Sequence, residues 1–446
     1  MIRFFIGGRV AENILIVGNG FDLSHYLPTK YDHFMDVMDA IDSSNNDEMS
    51  FDDLFVKCRE EWFIAKTKEY YQTENIHLNK EQLTEIRELL KENCWYQYFK
   101  NHVQEIKTWI DFEQKIEKFL RLFVVRSMEL QKLEKHEDIL NYFNGKHRSI
   151  PIISEVDLKI LNLFRFTVRE SMSRVTYRDP HTGKVKITST GEFLDINKAF
   201  CVGCNPINGF NADSFINHLN SQLNEFIKIF NLYLVEIIQK LNPKTALNIQ
   251  SENWEQPKRL YSFNYTNTYT KGYNNVTIEY LHGKCGENQN IVLGISDLND
   301  ESLKDLKAYG FTKYHQKLFK DTDYLFLNES EQVNSIRDFW RSVGDGKVIM
   351  SDQQEEHKLN ILIWGHSLDS SDKDYIKEIF SFNEQRDERV RVTVYFFDAN
   401  AKFLLLNNLL AILGKDKVEK WMKKKWLQFK PNPQIDFGIG TQQQIA

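Results

Sequence analysis

Cysteine is scarce: five in 446 residues, at Cys58, Cys94, Cys201, Cys204 and Cys285. So odd and scattered a set excludes a disulfide framework and fits a reducing cytoplasm. Long apolar runs are missing as well. None approaches the roughly 18 residues of a membrane span, and the opening MIRFFIGGRV is too short and glycine-broken for a signal peptide. The expectation is a cytoplasmic protein with no membrane partner. Nor does charge of one sign dominate. The chain carries 57 basic and 63 acidic residues, a net charge of -6, which gives no general pull toward nucleic acid. The densest basic run, Lys420, Lys423, Lys424 and Lys425, reads as a solvated helix face. Repeats and low-complexity tracts are absent. So is a Gly-x-Ser-x-Gly nucleophile elbow. Cys201 and Cys204 make a single CxxC spacing without a second pair, and a structural zinc site needs four ligands. No metal is expected.

What is present suits a buried core. Hydrophobic residues make up 41% and aromatics 13%, and the length suggests an α/β domain with a large addition. Asn13 to Val17 is a compact apolar run of the kind found in buried parallel strands. It stops at Gly18-Asn19-Gly20, a polar turn follows, and a helix opens near Thr29. From about residue 35 to 245 the pattern is mostly helical. Leu83, Ile86, Leu89 and Leu90 form one stripe, Ile116, Phe119, Leu120 and Phe123 another, and Ile216 to Leu241 the longest, ended by Asn242-Pro243. Residues 178–211 read as an irregular excursion with a hairpin at His181-Thr182-Gly183-Lys184. Strand patterns return at Leu260–Phe263, Val276–Leu281, Ile291–Leu293, Leu359–Trp364 and Val390–Phe397, with helices at Tyr375–Phe380 and Ala401–Leu413. The first strand needs partners, and they lie after residue 255. The expected fold is therefore α/β: a Rossmann-like, mostly parallel sheet flanked by helices. Residues 11–35 and 255–430 form it as one discontinuous nucleotide-binding domain, interrupted by a mainly helical insertion at 36–254.

Polar residues collect where these strands end: Gly18-Asn19-Gly20-Phe21-Asp22, Asn264-Tyr265-Thr266-Asn267, His282-Gly283-Lys284, Gly365-His366-Ser367-Leu368-Asp369 and Asp398-Ala399-Asn400. Loops need such residues in any case, but ligands of open α/β sheets bind at that edge. Gly18-Asn19-Gly20 would let backbone amides approach a phosphate. It is neither the dinucleotide fingerprint, since Leu23 stands at the third glycine, nor a P-loop. Gly365-His366-Ser367 would add amides and a hydroxyl. Asn264 has the donor and acceptor to hold a water or ribose hydroxyl, and His282 can take its proton. Asn264, His282, Gly18, Asp22 and Ser367 are expected to line one cleft.

The run Ile14-Leu15-Ile16-Val17-Gly18-Asn19-Gly20-Phe21-Asp22-Leu23-Ser24-His25 resembles the opening motif of the AbiH family of phage-defence proteins. Leu27-Pro28-Thr29-Lys30-Tyr31, Trp109-Ile110-Asp111-Phe112-Glu113, Ser262-Phe263-Asn264-Tyr265-Thr266, Leu281-His282-Gly283, Phe311-Thr312-Lys313-Tyr314 and Ile363-Trp364-Gly365-His366-Ser367-Leu368 follow in the family's order. The resemblance implies abortive infection, in which the infected cell is stopped before phage spread. More distantly, the order GNGFD, FNYT, LHG, GHSL is similar to the motifs of sirtuin-like NAD hydrolases. That resemblance implies NAD as substrate. Gly18, Asn19, Gly20, Phe21, Thr266, Gly365, His366 and Ser367 would contact it, Asn264 would position the ribose or water, Asp22 would lie near the nicotinamide ribose, and His282 would be the general base. Thr266 replaces a usual acid, Lys30 and Tyr31 replace an aromatic-arginine pair, and the zinc ribbon and acyl-lysine channel are missing. These departures speak against a deacylase more than against an NAD hydrolase.

Two functions follow. One is an effector that hydrolyses NAD to nicotinamide and ADP-ribose. The other is a non-catalytic module sensing a nucleotide, with partner contacts on the helical insertion. A nuclease would need clustered carboxylates for a metal, and none stands out beyond Asp111 and Glu113, which helical spacing does not put on one face; they are instead expected to hold the insertion against the cleft. Expected partners are NAD or a related nucleotide, a phage-derived trigger or defence partner, and further copies of the chain in a homo-oligomer.

Overall fold

A computed structural model of the chain describes residues 12–102, 106, 108–133, 135–147, 149–171, 176–178, 185–187, 192–251, 254–322, 326–327, 359–383 and 390–438. Its centre is a six-stranded, wholly parallel sheet. In chain order the strands are β1 (Glu12–Val17), β2 (Arg259–Ser262), β3 (Thr277–Tyr280), β4 (Leu359–Trp364), β5 (Val390–Phe396) and β6 (Leu427–Pro431). Their order across the sheet is β3-β2-β1-β4-β5-β6, the order of dinucleotide-binding folds. The amino-terminal strand lies between β2 and β4, with Ile16 opposite Tyr261 and Ile363. Every residue of β1 is buried, as expected of a strand covered on both faces.

The strand alternation sorts the core. Ile14 and Ile16 join Tyr261, Phe263, Ile361, Ile363, Val392 and Val394 in one cluster. Leu15 and Val17 join Leu260, Phe21, Tyr269 and Trp364 in another. The helices Lys373–Ile379 and Ala399–Leu413 form close to their expected bounds. The latter is N-capped by Asp398, whose carboxylate accepts the Ala401 amide at 2.7 Å.

Several local expectations are corrected. Ile291–Leu293 is buried but is not a strand. Its backbone is satisfied otherwise: Val292 N–H donates to the His282 carbonyl (2.8 Å), and Gln316 pairs both ways with Leu293 (3.0 and 2.9 Å). The edge strand β6 was not expected. Its Gln428, Lys430 and Pro431 dilute the apolar signal, and proline is tolerated at an edge. In place of the polar turn expected after Gly18-Asn19-Gly20, a short helix, Asn19–Ser24, starts directly after Gly18. The next helix opens at Tyr31. The long helix runs Ala212–Glu236 and tightens to a 3-10 turn at Ile238–Lys240 before Asn242. The expected hairpin at 181–184 lies outside the described residues, although Thr176–Arg178 and Val185–Ile187 pair antiparallel.

By contacts the chain divides into two compact units. The first comprises residues 1–83, 230–297 and 313–446 and holds the sheet. It thus includes 36–83 and 230–254 along with the segments that form the strands. The second comprises 84–229 and 298–312 and packs around Trp95, whose ring meets Phe119 and Phe164 edge-on. In it Asp111 closes a capping box, accepting from the Thr108 amide and hydroxyl, both at 2.9 Å. The acid of Trp109-Ile110-Asp111 thus caps its own helix.

Candidate functional site

In this sheet order the reversal falls between β1 and β4, the crevice where nucleotide folds bind ligand. The loops there are Gly18–Gly20 and Gly365–Leu368, and they pack directly on each other. Gly18 N–H donates to the Trp364 carbonyl (3.1 Å) and Gly20 N–H to the Gly365 carbonyl (2.8 Å). A Cβ on Gly18 would stand 2.7 Å from the Gly365 oxygen, and one on Gly20 2.8 Å from its Cα. Gly365 itself has φ 72°, and a Cβ there would meet the Phe21 nitrogen at 2.0 Å. The missing side chains thus serve a backbone-to-backbone contact, and the two amides are donated within the protein. Gly365→Ala is expected to destabilise the fold by about 2–4 kcal/mol, from left-handed strain plus the clash. Thermal unfolding measures it, and an unchanged midpoint would show that the loop yields without loss.

The expected site residues fall into two groups, not one cleft. Beyond the end of β2, Phe263 joins Tyr261 in one core cluster while Asn264 lines a cavity with Leu260 and Ser262, so their side chains leave on opposite faces. On one face Asn264 Nδ2 donates to the Gly18 carbonyl (2.9 Å), tying β2 to the tip of β1. Beside it lies Asp22, 1% exposed, in the first turn of the helix after Gly18. Thr266 Oγ1 donates to Asp22 Oδ2 at 2.6 Å and lies 3.2 Å from Thr268 Oγ1. Burial pushes the Asp22 carboxyl up to about 6, although the Thr266, Thr268 and Asn264 side chains pull the other way. Among the described residues Asp22 Oδ1 has no hydrogen-bond partner. Asp22, Asn264, Thr266 and Thr268 line a cavity of about 10 Å³, closed by Val17, Leu260 and Tyr269, which is the size that holds one water. Phe21 belongs to the core here, edge-on to Trp364 and stacked with Tyr269. Asn19 is half-buried.

On the other face stands a histidine–aspartate–histidine group. His282 Nε2 lies 3.1 Å from Asp372 Oδ1, and His366 Nε2 lies 3.4 Å from Asp372 Oδ2. The second distance is long for a hydrogen bond but close for charge. The Phe263 ring separates the two imidazoles, 5.0 Å from His282 and 4.1 Å from His366. All three polar side chains are buried. Burial raises Asp372, but Lys313 and the two histidines outweigh it and hold the carboxylate well below its ordinary range. Burial lowers His282 to about 4 against the opposing pull of Asp372. A neutral His282 beside a charged Asp372 must carry its proton on Nε2, which leaves the Nδ1 lone pair as acceptor. In His366, Nδ1 accepts the Leu368 N–H at 2.9 Å, so that ring has no lone pair left for chemistry. Lys313, also buried, donates to Ser371 Oγ (3.1 Å). Ser367 is exposed and offers only its carbonyl, to Asn408 (2.9 Å).

Sequence reasoning missed Asp372 and Lys313. Asp372 lies three residues beyond the quoted loop, on the turn Ser370–Asp372. Lys313 lies inside a quoted motif that carried no assigned role. Of the remaining candidates, His25 is a buried structural residue, with Nδ1 on the Phe21 carbonyl (2.7 Å) and Nε2 on the Tyr273 hydroxyl (2.8 Å). The five cysteines are unpaired thiols. Among the described residues no three His, Cys, Asp or Glu side chains gather as a metal site, and no helix is long and apolar enough to cross a membrane.

Compared with known proteins, residues 14–396 match one family model, described as bacteriophage abortive infection AbiH. No curated protein and no solved structure matches the chain.

Proposed function

Since the chain belongs to the AbiH family and so acts in bacteriophage abortive infection, we propose that it stops the infected cell by hydrolysing NAD at the nicotinamide–ribose bond, with His282 as the base. Nicotinamide departs neutral and needs no general acid. The ribosyl cation it leaves is strongly electrophilic, so attacking water needs only a weak base. The observation that carries this reading is the Asp372–His282 pair. A neutral imidazole, oriented through Nε2 by a charged carboxylate at 3.1 Å, keeps Nδ1 available at the carboxy edge of a parallel sheet ordered like a dinucleotide-binding fold. Asn264 and Asp22 then hold the tip of β1 in place, since their group faces away from His282.

Purified protein incubated with NAD, and infected cells sampled for NAD, test the reading through nicotinamide release. Turnover that requires His282 supports it. A second reading is a nucleotide sensor, which uses the same dinucleotide-type sheet edge but needs no base. A sensor would bind NAD in a thermal-shift titration without releasing nicotinamide, and its phage protection would survive loss of the His282 base.

A further inference from the structure

Asp22 poses a charge problem that the proposed reaction does not use. Its carboxylate is 1% exposed and is set among Val17, Phe21, Leu260, Tyr269 and Trp364. A buried carboxylate is tolerated when a cation or several donors face it. Here one oxygen takes the Thr266 hydroxyl, the Thr268 and Asn264 side chains also favour the charge, and the other oxygen is unpartnered among the described residues. The titratable groups that feel its charge are Tyr71, Tyr280 and Cys285. None is a cation. Burial holds Tyr71 well above its ordinary range, Tyr280 near 12 and Cys285 near 11, so all are neutral at physiological pH. His25, on the same helix, is lowered to about 4 by burial and is neutral too.

Asp22 borders a cavity of about 10 Å³ whose other polar lining is Ser262, Asn264, Thr266 and Thr268. We propose that this cavity is a binding site for one alkali cation, sodium or potassium, held by Asp22 Oδ1 with the Thr266 and Thr268 hydroxyl oxygens. A water would fit the space but would leave the charge uncompensated. A divalent ion is commonly held by more than one carboxylate. A monovalent ion balances the single carboxylate. It would sit under the helix Asn19–Ser24 and beside Asn264, whose amide holds Gly18. The ion therefore locks the tip of β1 to the tip of β2.

The test is thermal unfolding of the full chain at equal ionic strength in sodium, potassium or choline chloride. At pH 8 the midpoint is expected about 3–6 °C higher in sodium or potassium than in choline, the shift of a site filled at roughly a hundred times its dissociation constant. At pH 5 a proton competes for the same oxygen, and the difference should fall to about half. Asp22→Asn should abolish the alkali effect. Thr268→Val, which keeps the carboxylate but removes one oxygen, should move the half-effect to a higher salt concentration. Equal midpoints in all three salts at pH 8 would overturn the site, as would an alkali effect that persists in Asp22→Asn.

Discussion

His282→Gln is expected to abolish NAD hydrolysis while leaving the protein folded. Glutamine can still donate an amide hydrogen to Asp372, so the buried carboxylate keeps a partner and the 3.1 Å contact has a replacement. It cannot accept a proton at neutral pH. Loss of a positioned general base lowers turnover by about 10²- to 10⁴-fold. Asp372→Asn should act through His282 and not on substrate. The neutral amide can present its NH₂ to the imidazole, which favours the opposite tautomer and places the proton on Nδ1, where the lone pair is needed. A drop in kcat with unchanged KM is then expected, of the size seen when an orienting carboxylate is neutralised in histidine-based catalysis, roughly 10²- to 10⁴-fold. Nitrogen-15 spectra of histidine-labelled protein would show the tautomer directly, whatever the substrate. An Asp372→Asn protein with His282 still protonated at Nε2 would remove the orienting role. A His282→Gln protein of full activity would remove the base.

The sheet was legible because its inner strands are covered on both faces. Ile14–Val17 and Leu359–Trp364 read as apolar blocks and Val390–Phe396 as Val390, Val392 and Val394 alternating with Arg391 and Thr393, and the three lie side by side between β2 and β6. The edge strand β6 was not legible, since burial on one side leaves Gln428 and Lys430 interleaved with Leu427 and Phe429. Ile291–Leu293 misled for the opposite reason. It is buried as a strand would be, but a glutamine side chain supplies the partners that a neighbouring backbone would have given. At the site, position along each strand was readable and pairing across strands was not. Gly18, Gly20 and Gly365 signalled a close approach of backbone, and what approaches is the other loop of the same protein. His282 stood out at a strand tip, whereas Asp372 lies 90 residues further on, and nothing local marks it as the partner. Asn264 and His282 seemed to converge because both follow apolar runs. Phe263 and Asn264 leave on opposite faces, and His282 packs on the Phe263 side.

Asp22 carries a large expected effect of pH on stability. Its folded-state carboxyl is raised to about 6 by burial, from an ordinary 3.8. The folded protein therefore holds this proton more tightly than the unfolded chain does. Relative to a neutral side chain, that contribution is fully present below about pH 4 and is lost as pH rises through about 6, to a total of roughly 3 kcal/mol. Asp372 has the opposite sign, being held well below 3.8 by Lys313 and the histidines against its burial, so its contribution is present at neutral pH and lost in acid. Asp36, also raised to about 6 by burial, adds to the trend in the parent protein. Comparing the parent with Asp22→Asn cancels both. In choline chloride the stability of Asp22→Asn minus that of the parent should climb by about 2–3 kcal/mol between pH 4 and pH 7.5, read from denaturant unfolding at each pH. In sodium or potassium chloride the climb should be smaller, because the ion balances the charge that the proton relinquishes. A difference that stays flat with pH in choline would mean that Asp22 is not an isolated buried acid. A slope identical in all salts would leave the acid in place but remove its ion.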